Sequence, residues 1–170
     1  LPKVRRTPAE AVERSTLKDV VRVRLWQRPD GPIYLLRNTS RMEALHADDL
    51  RAADVSSEQA AVAIASEHAR LRGLNPAAAL LELIQHDQWT VPNNLDAHRP
   101  LYRVALNDPN GTELYVSSRT GEIARDTTRS ERAWNYVGSV VHWIYPSVLR
   151  RNWMAWSVTV WWLSLAAVIA

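Results

Sequence analysis

The chain has 170 residues, no cysteine, and 21 Lys and Arg against 18 Asp and Glu for a formal charge of +3. The lack of thiols excludes disulfides, thiolate metal sites, iron–sulfur ligation and covalent c-type haem attachment, and the basic residues are scattered among acids, so nucleic acid is not an expected partner. A mean hydropathy of −0.27 and about 150 residues ahead of an apolar C-terminus leave room for one ordinary core or two very small ones.

Thr7-Pro8-Ala9-Glu10 carries a helix start, with Thr as N-cap, Pro at the first helical position and Glu closing a capping box; the helix is expected to reach about Leu17. Val20 to Gln27 alternates apolar and polar residues, which places Val21, Val23 and Leu25 on one face of a half-buried strand. The turn formers Arg28-Pro29-Asp30-Gly31-Pro32 lead to a second strand over Ile33 to Leu36, and Asn38-Thr39-Ser40 to a third over Met42 to Leu45. The pattern then restarts. Ser56 is placed as the cap, and Gln59 as its box partner, of a helix whose stripe is Ala60, Ala61, Ile64, Ala65 and Leu71 and which Gly73 stops. Asn75-Pro76 reads as a further helix start, continuing through Ala79, Leu80, Leu83 and Ile84 to about His86. Trp89-Thr90-Val91 reads as a short strand. Leu101 to Leu106 and Glu113 to Ser117 form a hairpin about Asp108-Pro109-Asn110-Gly111, and Arg119-Thr120-Gly121 turns into Glu122 to Arg125.

These stretches repeat. A shift of 81 positions superposes Arg22, Val23 and Leu25 on Arg103, Val104 and Leu106, Tyr34 on Tyr115, Thr39 on Thr120 and Met42 on Ile123. Pro29/Gly31 match Pro109/Gly111 with a one-residue slip. The fold is therefore expected to be α+β: tandem modules over residues 1–54 and 55–128, each with a helix packed on a small antiparallel sheet.

From Thr128 the character changes. Ala133 to Tyr145 is aromatic and apolar, and helical spacing sets Trp134, Val137, Val141 and Tyr145 on one face, so residues 129–151 are expected to form an interfacial helix that Pro146 turns toward a bilayer. Asn152 to Ala170 holds no charge, Pro or Gly; as a helix it would reach ~28 Å, close to the ~30 Å of bilayer hydrocarbon. It is expected to be a transmembrane helix over 152–170, with Trp153 and Trp156 beside Arg150 and Arg151 at the headgroups, a buried core helix or a helix lying in the membrane plane being the other readings. It stops at Ala170 while still apolar, and the chain starts at Leu1 with no apolar signal core, so a fragment or processed chain is expected.

Arg103-Val104 ahead of a hairpin, followed by Tyr115-Val116 and Thr120-Gly121-Glu122, resembles the last hairpin of the PepSY domain. Glu131-Arg132-Ala133-Trp134-Asn135 and His142-Trp143-Ile144-Tyr145, directly before the apolar stretch, resemble the PepSY-associated transmembrane proteins. The resemblance covers Val55 to the C-terminus and extends weakly to the first module. It implies a bacterial inner-membrane protein with its PepSY modules in the periplasm. Some members of that family are linked to iron uptake and resemble ferric-siderophore reductases that hold b-type haem between spans through histidines. Only His142 falls on the family's histidine position at the membrane edge, which marks it as the candidate haem ligand; Val141 stands where Leu is usual. Arg150 and Arg151 alone would place the soluble side in the cytoplasm, but that rule loses force behind a domain of this length.

The residues themselves add little chemistry. His46, His68, His86 and His98 fall on loops or helix edges without a metal spacing and are expected at the surface, and Asp48-Asp49, Glu113 and Glu122 are expected to be solvated or capping. No phosphate loop, nucleophile elbow or zinc-protease motif is present. Three functions stay open. The first is a haem-containing reductase or accessory protein in iron or siderophore uptake, with His142 as an axial ligand and a ferric siderophore as partner. The second is a non-catalytic binding or regulatory module whose sheet edges engage a periplasmic protein or peptide. The third is a structural subunit whose Trp-rich helix docks against other transmembrane helices.

Overall fold

The computed structural model describes residues 3–141, 144, 146–150 and 152–169. In chain order these form α1 (Pro8–Arg14), β1 (Arg22–Arg28), β2 (Gly31–Arg37), β3 (Met42–His46), α2 (Glu58–Leu71), β4 (Ala79–Ile84), a 3₁₀ turn (Asn93–His98), β5 (Leu101–Ala105), β6 (Glu113–Ser117), β7 (Ile123–Thr127), α3 (Arg129–Asn135), a π-helical turn (Tyr136–Val141), α4 (Ser147–Arg150) and α5 (Trp153–Ile169). The class is α+β. Two antiparallel sheets carry the fold, in the orders β1-β2-β3 and β4-β5-β6-β7.

In the first sheet the Thr7–Glu10 capping box forms as its spacing dictates. The helix ends three residues short of Leu17 because Ser15 Oγ and Thr16 N–H donate to the Glu43 carboxylate on β3, which draws the chain away from the helix axis. One face of the sheet packs Tyr34, Leu36 and Leu45 against Ala11 of α1, and the other packs Ile33, Leu35 and Ala44 with Ala53. The apolar face expected of β1 is only partly drawn in. Val23 joins the α1 cluster, while Val21 and Leu25 remain 67% and 55% exposed, since β1 is an edge strand and a two-turn helix does not reach across it.

In the second sheet α2 lays Ala61, Ile64, Ala65 and Ala69 on Tyr102, Val104, Leu106, Leu114 and Val116. Its N-cap is Ser57, one residue later than expected, whose Oγ accepts from Ala60 N–H. The helix expected from Asn75 is instead strand β4, paired with β5 from Ala79 opposite Ala105 to Ile84 opposite Leu101. Asn75 makes a turn here: its Oδ1 accepts from Ala77 N–H and its Nδ2 donates to Asn107 O. Trp89-Thr90-Val91 is likewise no strand but a turn wound on Asp87, whose Oδ1 accepts from the Trp89 and Thr90 amides and the Thr90 hydroxyl at 2.8 Å each.

The repeated strands form the same meander, β1-β2-β3 and β5-β6-β7, but the slip in the hairpin has a consequence. Val23 and Val104 both face their helices, whereas Tyr34 faces α1 and Tyr115 packs on the side away from α2, with Ile84 and Leu101. Side chains alternate along a strand, and the partner of Val104 comes three residues sooner than that of Val23, an odd difference that exchanges the faces of residues matched by the shift of 81. Leu114, opposite Val104, takes the place of Leu36, opposite Val23.

Beyond β7, α3 starts on a second capping box, Thr128 with Glu131. Within residues 129–151, the stretch expected as an interfacial helix, α3 is followed by the π-helical turn and then by α4. Tyr145 and His142 lie outside the described residues. The apolar C-terminal stretch forms α5, 17 residues long and so about 25 Å, with none of its residues buried. Among the described residues no helix is long and apolar enough to cross a membrane. Trp156 Nε1–H donates to Ile144 O at 2.8 Å, and the Arg150 guanidinium stacks on Trp153 and Trp156, 4.8 Å from each ring centre.

Candidate functional site

The two sheets meet at the Thr120-Gly121-Glu122 turn between β6 and β7. Arg28 closes β1 and is buried, and its Nη1 donates to Ala53 O and Thr120 O while Nε and Nη2 hold Asp30. Gly121, at φ +76°, lies between Ile64 of α2 and the Arg28 side chain. Glu122 pairs with Arg24 of β1. A turn legible in the sequence as hairpin chemistry thus seats the first sheet on the second.

A cleft opens on this seam. Arg24, Leu35 and Glu122 line both of its parts. The larger, about 550 Å³, is amphipathic, with Leu25, Trp26, Leu71 and Ile123 as apolar walls and His68 and Arg72 at the C-terminal end of α2. The smaller, about 170 Å³, is lined by Arg22, Arg37, Met42 and His98. Burial lowers the His98 pKa; Glu122, 4.0 Å from its Nδ1, opposes the shift, and Arg37 and Arg24 add to it. The His98 Nδ1 is buried without a hydrogen-bond partner. His68 is lowered in the same way, by burial and then by Arg72, against a weaker pull from Asp126.

The remaining buried polar groups are structural. Arg99 donates to the carbonyls of Gln85, Thr90 and Pro92 and so holds the β4–β5 connection. Tyr115 is fully buried and donates to Asp87 Oδ2 at 2.8 Å, and burial, then Asp87, raises its hydroxyl pKa well above the ordinary value. Glu113 is not solvated as expected: it is buried under Arg103 and Arg132, and its charge holds the Arg103 pKa above the usual value.

Comparison with known proteins adds no relative. No family model, no curated protein and no solved structure matches the chain.

Of the residues singled out by sequence, His142 lies outside the described residues. The four other histidines stand on β3, on α2, after β4 and at the end of the 3₁₀ turn, and none on α3, α4 or α5. Among the described residues no group of three His, Cys, Asp or Glu side chains is placed to hold a metal ion. Of the four expected at the surface, His86 is exposed, whereas His46, His68 and His98 are half-buried, His98 with only 17% of its side chain exposed. The pairing of Arg22 with Arg37 was legible, because a two-residue Pro29-Asp30 turn sets residues equally far from it opposite one another.

Proposed function

We propose that this chain is a PepSY-like protein anchored to the bacterial inner membrane, with its tandem modules on the periplasmic side and α5 in the bilayer. The observation that supports this is α5 itself. Trp161, Trp162, Leu163, Val168 and Ile169 are exposed, with no core among the described residues to cover them. Each large apolar side chain moved out of water contributes about 1.5–3 kcal/mol. Arg150 stacked on Trp153 and Trp156 matches the cation and aromatic belt at a headgroup boundary. A helix of about 25 Å falls short of the ~30 Å hydrocarbon layer by an amount that local thinning and snorkelling of flanking residues absorb.

The role we assign it is the extramembrane part of a haem-containing reductase or accessory protein in iron or siderophore uptake, with His142 as one axial ligand of a b-type haem. When bound, such a haem supplies one-electron transfer. The described residues of α3 to α5 carry no histidine, and a second histidine for such a haem would come from another transmembrane helix of the same or a partner protein. The test is the optical spectrum of the full-length protein purified from membranes, oxidised and then dithionite-reduced, beside His142→Ala. A Soret band with reduced α and β bands that weaken in the variant is expected. A featureless spectrum from folded, iron-replete protein removes the reductase role, and release of the protein from membranes by alkaline carbonate removes the anchor.

The amphipathic part of the cleft favours a second reading, a non-catalytic module that binds a periplasmic protein or peptide. Its exposed Leu25 on edge strand β1 lies beside unpaired backbone groups that an extended segment would satisfy.

A further inference from the structure

The smaller part of the cleft concentrates positive charge that the fold does not use. Arg22 and Arg37 stand directly opposite on β1 and β2, a pairing of like charges that is unfavourable in a ladder. Neither side chain makes a hydrogen bond or ion pair among the described residues, whereas Arg24 beside them is held by Glu122. The lining therefore presents three arginines against a single carboxylate. His98 lines it as well, its buried Nδ1 without a hydrogen bond and 4.0 Å from Glu122.

We propose that this cavity of about 170 Å³ binds a small oxyanion carrying at least two negative charges, such as a phosphate group or a short dicarboxylate. The planar forks of Arg22 and Arg37 take its oxygens in bidentate fashion, which relieves their mutual repulsion. Arg24, fixed by Glu122, adds charge at the side, and the His98 ring lines the cavity next to it. The volume is of the size of one such group, and basic residues are otherwise dispersed along the chain. The site rests on the seam between the sheets and is independent of how the chain is anchored or whether it holds haem.

Isothermal titration of the full chain in detergent, at low and matched ionic strength, with inorganic phosphate, succinate and chloride in turn, tests this. One saturable site per chain is expected for phosphate or succinate and none for chloride. Whichever of the two saturates identifies the group as phosphoryl or dicarboxylate. Arg22→Gln and Arg37→Gln should each weaken binding about tenfold, the loss of one charge-assisted contact, with unfolding midpoints not lowered, because both side chains are exposed and each change removes half of a like-charge pair. Arg70→Gln, at a surface arginine already paired with Glu67, should leave the affinity alone. The proposal is overturned if neither oxyanion saturates, if binding survives the double Arg22→Gln/Arg37→Gln change, or if Arg70→Gln weakens it equally.

Discussion

Replacing Gly121 by alanine probes the seam between the sheets at its tightest point. The added Cβ would stand 3.0 Å from Ile64 Cδ1 and 3.2 Å from both Cδ and Nη1 of Arg28, and the backbone there holds φ +76°. The left-handed conformation costs a non-glycine residue about 1–2 kcal/mol, and forcing a methyl into packed surroundings a further 1–3 kcal/mol or so. The sum, about 2–5 kcal/mol, is a large share of the roughly 5–15 kcal/mol that holds a typical domain. Gly73→Ala supplies the control: its φ is +68° but nothing lies within 4 Å of the new methyl, so only the conformational part is expected. Urea denaturation of both variants, followed by far-UV circular dichroism, separates the two contributions. Gly121→Ala should lose about 1–3 kcal/mol more than Gly73→Ala. Equal losses would refute the wedging of Gly121 between α2 and Arg28, and with it the account of how the sheets are joined.

Tyr115→Phe keeps the buried ring and removes the hydroxyl that donates to Asp87 Oδ2, so urea unfolding should show a loss of about 1.5–3 kcal/mol, as for a hydrogen bond to a charged group; a change below about 0.5 kcal/mol would contradict that bond. The folded-state pKa values of His68 and His98 are both lowered, chiefly by burial, so the unfolded chain binds these protons more readily than the folded one. Their contribution to stability is complete above the unfolded value of about 6.5 and is lost as pH falls below it through the depressed folded values. The urea midpoint should therefore drop between pH 7.5 and pH 5.5, and the drop should shrink in His68→Gln/His98→Gln; a midpoint that rises on acidification would reverse the assigned direction.

Local chemistry was decided by the sequence alone. The Thr7–Glu10 capping box, the β1–β2 hairpin and the turns at Asn38 and Asp108 each depend on groups within four residues of one another, so their spacing suffices to place them. The apolar character of α5 is of the same kind, being a matter of composition. Only the tertiary structure decided that Leu80 to Ile84 is a strand. Helix propensities there differ by tenths of a kcal/mol per residue, while the edge of β5 offers a row of backbone groups to pair. It also decided the face of Tyr115, through the length of a hairpin, and the burial of Glu113 beneath arginines from β5 and α3. The cleft depends on the same long-range placement. His98 joins Arg22 and Arg37, a pair the hairpin makes by itself, because β1 docks on a turn nearly a hundred residues further along the chain, and the contacts that bring it there, Arg28 to Thr120 and Arg24 to Glu122, leave no periodicity for a sequence to carry.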